Sequence, residues 1–454
     1  MTQLYKLKSS VRKAPGADNL FYGIWIRWRT MTVAERFVCV NIVLVPVWWV
    51  VGIYNYMPLL LVLGVAVYEW WQYGELRLKR PMLPVVALLV CGTYQLVRLV
   101  FAYYVPGRIN FSDVFILSFC PAFLLWYIQS NKIRIRMEVV AWACTVSVVQ
   151  MIGFWLLLQF VLPETIFLSP RLPTLFALLT GEGVGEADKN NYLLPYIPRT
   201  VLEGVNRFSL FFIFPEFFAV VVGFIGLVAL EIKNRFWSWL LFLACVFLLF
   251  LSATRIVWVV FPIVVGLRYL FSTFGKPRGR PIVFAMIAIA SFTTLALPPA
   301  TDLILDKFTH GVQSVNEVRE DSTEVRLEIY RQTWEQIQDN LLWGYMSKGE
   351  PVNAVSDSRI GSHSVILGSL LYRTGLVGTG IFIVFWISLF IWFYETRAGR
   401  PLIGFCVLIF YTLVSPTLAL VYDMPISSLL ILLCAAIRQP KLKPKLRSTS
   451  CVSS

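Results

Sequence analysis

The sequence predicts an all-α, polytopic integral membrane protein of about twelve spanning helices. Three observations carry that class. Of 454 residues, 57% are hydrophobic and only 15% are charged; soluble domains carry about a quarter charged residues. The apolar residues fall in long blocks, several of them longer than the ~18 residues that read as a membrane span. The basic residues gather in alternate connectors between those blocks.

The elements follow in order. Residues 1–36 form a polar, basic, cytoplasmic N-terminus with no evident cleavable leader, so the first apolar block reads as a retained span. Blocks at 37–54, 57–71, 82–104, 111–129, 138–162, 208–230, 236–251, 256–272 and 281–298 make nine spans within 37–298, with an outer loop at 163–207. The long loop 299–363 follows. Blocks at 372–394, 401–414 and 420–437 supply the last three spans within 364–437, the final two interrupted by Pro416 and Pro425. A basic tail, 438–454, ends the chain and suits contact with anionic headgroups.

Orientation comes from charge. With the N-terminus in the cytoplasm, the cytoplasmic segments 1–36, 72–81, 130–137, 231–236, 273–281, 395–400 and 438–454 hold 25 Lys and Arg residues. The short outer loops hold two, Arg108 and Arg255. Basic residues favour the cytoplasmic side of short loops, so both termini are expected in the cytoplasm and both long loops outside. The net charge of +14 is then largely a topology signal, and no nucleic-acid partner is needed to explain it.

The loop 299–363 carries six basic and eleven acidic residues. Within it, 322–341 reads as an amphipathic helix, with Val325, Ile329, Tyr330, Trp334, Ile337 and Leu341 at steps of mostly three and four. Asp321 and Glu324 suggest its capped start. Such a helix suits the membrane surface or a lid over a cavity between spans.

A few charged groups fall near one plane by topology. Arg207 lies at the outer end of the sixth span, Arg255 in the turn between the seventh and eighth, and His363 where the long loop re-enters the membrane. Arginines at span ends commonly snorkel to headgroups. Arg255, however, sits against the charge bias in a turn of about four residues between strongly apolar helices. A lone intramembrane histidine more often packs than reacts, but His363 is flanked by Gly361, Ser362 and Ser364, small neighbours that leave room for a substrate. His310 reads as a solvated loop residue. Arg98, Arg268 and Arg373 lie within or beside apolar segments, where charge defaults to a functional reading; Arg268 can snorkel and Arg373 is close to His363. Glu69, Asp113, Glu216 and Asp423 are candidate acidic partners, and Glu216 lies well inside its span.

The sequence holds no HExxH, CxxC or Walker loop. Its two histidines, and eight cysteines that sit in apolar blocks apart from Cys451, argue against a protein-held zinc site or designed disulfides. A metal-independent site built on arginine, with no cofactor, fits this inventory. Guanidinium binds phosphate bidentately and could stabilise a diphosphate leaving group.

Three stretches together resemble the O-antigen ligase and O-antigen polymerase superfamily of bacterial membrane glycosyltransferases. GVNRFSLFFIFPEFFAV resembles the family's Arg followed by Pro and an Asn or Glu. LLFLSATRIVWVVFPIVVGL resembles its Thr-x-Ser-Arg turn into an apolar helix. STEVRLEIYRQTWEQIQDNLLWGYM and GSHSVILGSLLYRTGLVG resemble its outer loop, running from an Arg through a Trp-containing helix to a Gly, a His and a Gly-Leu-x-Gly re-entry. The resemblance covers roughly 203–395 and implies a C-type glycosyltransferase-like fold with a long helical extracytoplasmic loop. It also implies transfer of a glycan from a polyprenyl-diphosphate carrier to a glycan or lipid acceptor outside the bacterial cytoplasmic (inner) membrane. That chemistry would serve O-antigen, capsule or exopolysaccharide assembly. Carried over by position, Arg207 and Arg255 would hold the diphosphate, Arg326 would close over it, His363 would serve the acceptor hydroxyl, and Glu216 and Arg373 would support them. Ser364 stands where the family usually has Asn, and Gly344-Tyr345-Met346 where it has Gly-x-Gly; both departures favour a polymerase over a lipopolysaccharide ligase.

Two other classes compete. A secondary transporter or polysaccharide flippase would suit twelve spans and intramembrane arginines, but no repeat symmetry is visible. A membrane scaffold would need neither Arg255 nor His363.

Overall fold

The computed structural model describes residues 20–101, 110–162, 172–180, 192–197, 206–274, 320–352, 359–418 and 425–438. The helices are α1 Val33–Val43, α2 Val45–Val51, α3 Met57–Tyr73, α4 Leu83–Phe101, α5 Phe111–Ser130, α6 Met137–Phe160 and the short α7 Leu175–Thr180. They continue with α8 Pro215–Ala229, α9 Arg235–Ser252, α10 Arg255–Phe274, α11 Glu320–Ile337, α12 Val365–Glu395, α13 Ile403–Val414 and α14 Pro425–Ala436. Two small antiparallel pairs accompany them: β1 Phe21–Tyr22 with β2 Trp25–Ile26, and β3 Tyr196–Ile197 with β4 Arg207–Phe208.

Six described helices are long and apolar enough to cross a membrane, or seven if α1 and α2, bent by 60°, count as one broken span. α8, α13 and α14 are apolar but shorter. The protein is therefore a helical, polytopic membrane protein. The expected span at 281–298 lies outside the described residues, as do His310 and Asp423.

α8 is the axle of the fold. All of its residues except Glu216 are buried, which is what a helix apolar all round requires. It packs against α6, α9, α10 and α13. Small residues permit that approach: a Cβ on Gly223 would stand 2.8 Å from Phe410, and one on Gly226 would stand 2.7 Å from Phe261.

Connectors gather at two ends. At one, Glu35 accepts from Arg136, Glu69 from Arg77 and Tyr127, Glu138 from Lys233, and Glu231 from Arg268. Arg400 there donates to the Cys434 and Ala435 carbonyls. These partners come from segments expected on the cytoplasmic side. At the other end, Tyr54 donates to the Phe211 carbonyl, Thr254 to Pro215, and Val365 N–H to Ser415.

Several boundaries differ from the sequence reading. The sixth span begins at Pro215 rather than 208. Phe214 is extended, as a residue before proline prefers, and Pro215 opens the helix. The re-entry helix begins at Val365, seven residues before the apolar block expected from 372. Pro425 starts α14 instead of interrupting it. In the loop helix, Asp321 lies inside α11 rather than at its cap. Its buried face is Ile329, Thr333 and Ile337, while Trp334 (55% exposed) and Leu341 face outward. Thr333 is buried because its hydroxyl donates to the Ile329 carbonyl and accepts from Gly361 N–H.

Candidate active site

The site sits at the head of α8. Arg207 ends an extended approach: β4 pairs with β3, and Ser209 and Leu210 N–H both donate to the Pro195 carbonyl. Leu210 turns the chain with a left-handed φ of 48°, and Pro215 then starts the helix. This short reversal returns Glu216, in the first turn of α8, to Arg207. Nη2 of Arg207 donates to Oε1 of Glu216 at 2.7 Å, and both side chains are largely buried, at 9% and 17% exposure.

Arg255 reaches the same place by a tether. The α9–α10 turn pivots on Ala253, at φ 49°, and the Thr254 hydroxyl donates to the Pro215 carbonyl at 3.3 Å. That bond fastens the start of α10 to the start of α8, with Arg255 as the first helical residue. The charges of Arg207 and Arg326 act on Arg255, and Arg326 acts on Glu216 as well. Arg207 and Arg326 thus act on Glu216 and on Arg255 alike, which gathers three guanidiniums and one carboxylate among the described residues. Nη2 of Arg255 and Nε of Arg207 are buried without a hydrogen bond to any described residue, an arrangement suited to an anion that supplies acceptors.

α11 carries Arg326 into this group and links it to His363. Tyr330, one turn after Arg326, donates to the His363 carbonyl at 3.4 Å. Burial raises the Tyr330 phenol above its usual range, and the Arg326 charge opposes that shift. His363 is held at φ 64° between Gly361 and Ser364. Ser364 caps α12, its hydroxyl accepting from Leu367 N–H, a task asparagine performs equally well. Gly344 and Met346 both have positive φ, at 71° and 58°, so the methionine occupies a backbone conformation that ordinarily favours glycine.

The remaining charged candidates serve the frame. Nη2 of Arg373 donates to Ser369, and the Arg373 carbonyl accepts from Met346 N–H. Arg98 donates to the Trp343 and Gly344 carbonyls, which ties α4 to the turn after α11. Glu69, Asp113 and Arg268 satisfy local partners: Glu69 and Arg268 at the opposite end, and Asp113 in the capping box of α5. Tyr330 and Thr254 were missed as organising residues. Tyr330 belonged to the apolar periodicity of the loop helix, and the Thr254 hydroxyl bond left no sequence pattern. Among the described residues, no three His, Cys, Asp or Glu side chains group as metal ligands.

Residues 240–383 match the O-antigen ligase family. The matched stretch runs from within α9 to within α12 and contains Arg255, Arg326, His363 and Arg373. It supports the resemblance to the O-antigen ligase and polymerase superfamily, and with it a membrane enzyme of surface-polysaccharide assembly. No curated protein matches the chain. Arg207 and Glu216 lie before the O-antigen ligase stretch, and the fold brings them to Arg255 inside it.

Proposed function

We propose that the protein is a glycosyltransferase of the bacterial cytoplasmic membrane. It takes a glycan from a polyprenyl-diphosphate carrier and joins it to an acceptor on the outer face, in polymerisation or ligation of a surface polysaccharide. The observation that carries this reading is the group of Arg207, Glu216, Arg255 and Arg326 at the head of the central helix. Among the described residues, three guanidiniums gather with one carboxylate, an excess of two positive charges that suits the two phosphates of a diphosphate diester. Glu216 orients Arg207, and Nε of Arg207 and Nη2 of Arg255, which have no hydrogen bond to a described residue, are available to phosphate oxygens.

In the reaction, the acceptor hydroxyl attacks the anomeric carbon of the carrier-linked sugar. A new glycosidic bond forms, and the bond from that carbon to the diphosphate oxygen breaks. The hydroxyl proton passes to His363, and the electron pair leaves with the polyprenyl diphosphate. Arginines around that oxygen stabilise the charge as it develops, the role divalent ions fill elsewhere. The O-antigen ligase match favours transfer over transport.

The glycan phenotype of a deletion strain tests the reading. Loss of long chains, with single repeats still attached to the acceptor, identifies a polymerase. Long chains building up on the carrier identify a ligase. Carrier-linked glycan trapped on the cytoplasmic side would mean transport and overturn the proposal.

A further inference from the structure

α11 has three sides, and only two are explained by protein and water. Ile329, Thr333 and Ile337 face the protein. Glu328, Arg331 and Glu335 form an exposed flank tied together by ion pairs from Arg331 to both glutamates. Leu327 and Trp334, seven residues apart and therefore on one side of the helix, are 62% and 55% exposed. The turn that follows continues that surface with exposed Leu341, Leu342 and Trp343. A contiguous set of large apolar side chains beside a charged flank needs an apolar neighbour.

The turn shows which neighbour. The Leu341 and Leu342 carbonyls accept from Leu376 and Val377 N–H, and these two residues are exposed on the spanning helix α12. Arg98, in the last turn of the spanning helix α4, donates to the Trp343 carbonyl and stands 5.7 Å from its ring. Val97, Val100 and Phe101 beside it are exposed on α4. The apolar turn therefore joins the exposed apolar surface of two candidate spans. A polar helix with one apolar flank and interfacial tryptophans suits the boundary between headgroups and acyl chains.

We propose that α11 is an interfacial helix whose Leu327–Trp334 flank, with Leu341–Trp343, inserts into the outer leaflet, so that the bilayer holds Arg326 beside Arg207, Glu216 and Arg255, and Tyr330 beside His363. The membrane contact stands on exposure and continuity alone; only its use in positioning Arg326 rests on the function proposed above.

Nitroxide labelling tests the contact on the full chain in lipid nanodiscs. All seven described cysteines are buried, and a Cys451→Ser background removes the tail thiol. Leu327→Cys, Trp334→Cys and Leu342→Cys are compared with Arg331→Cys and Glu335→Cys. Labels on the apolar flank should collide several-fold more with oxygen, relative to a water-soluble nickel chelate, than labels on the charged flank. Equal, water-like profiles at positions 334 and 335 would overturn the proposal. Shielding of position 334 from both reagents would overturn it in favour of a protein partner. Leu342→Cys gives an independent reading should a helix variant fail to fold, and neither carrier nor transfer enters the measurement.

Discussion

The largely buried ion pair of Arg207 and Glu216 gives the site its shape. Glu216 fixes one edge of the Arg207 guanidinium and leaves Nε for another acceptor. Glu216→Gln keeps an acceptor oxygen but removes the charge that holds Arg207 against its two like-charged neighbours. We expect the variant to fold and to transfer about tenfold to a hundredfold more slowly, in line with ~1.5–3 kcal/mol for a charge-assisted hydrogen bond, as read by initial rates alongside thermal unfolding. His363→Ala should slow transfer by about a hundredfold to ten-thousandfold, the range of general-base assistance, while sparing carrier affinity. Full activity in that variant would remove His363 from the chemistry. These residues were legible because charge is rare in this chain and conspicuous beside apolar blocks. Arg98 was legible for the same reason, but nothing in the residue sequence announced the Trp343 and Gly344 carbonyls as its partners.

Elements explain why those residues meet. The apolar blocks were visible as helices because length and hydrophobicity suffice for that. Their ends were less so, since Pro215 and the Thr254 tether operate over single bonds rather than over a pattern. The loop helix shows a second limit. Periodicity counts apolar residues but cannot separate a protein-facing side from an exposed apolar one, so Trp334 was grouped on one face with Ile329 and Ile337 and Thr333 was not. α12 contains the sharpest local constraint. Gly375 breaks the helix at φ 67° and ψ −173°, a conformation essentially restricted to glycine. A Cβ on neighbouring Gly344 would lie 2.6 Å from Gly375 N. Gly375→Ala should destabilise the protein by about 1–3 kcal/mol from backbone strain alone, with a further cost from the crowded Leu342 carbonyl. Thermal unfolding in nanodiscs reads the loss, and an unchanged midpoint would contradict the importance of this break.

The whole molecule divides its connectors between two ends, with carboxylate–arginine pairs fastening one and the cationic group heading α8 at the other. The alternation of basic connectors predicts which end faces the cytoplasm. A cysteine at Glu75 should be labelled only from the cytoplasmic side and one at Glu335 only from outside; the reverse pattern would invert the topology. Arginines carry the diphosphate in this account, so chelation should leave transfer nearly unchanged, and a loss rescued by magnesium or manganese would contradict it. The most direct test is binding of the polyprenyl-diphosphate-linked glycan to the purified protein in nanodiscs, with Arg207→Gln and Arg255→Gln compared with the parent. Each substitution should weaken binding about tenfold to a hundredfold while the protein stays folded. Undiminished affinity in both folded variants would show that this cationic group does not hold the carrier.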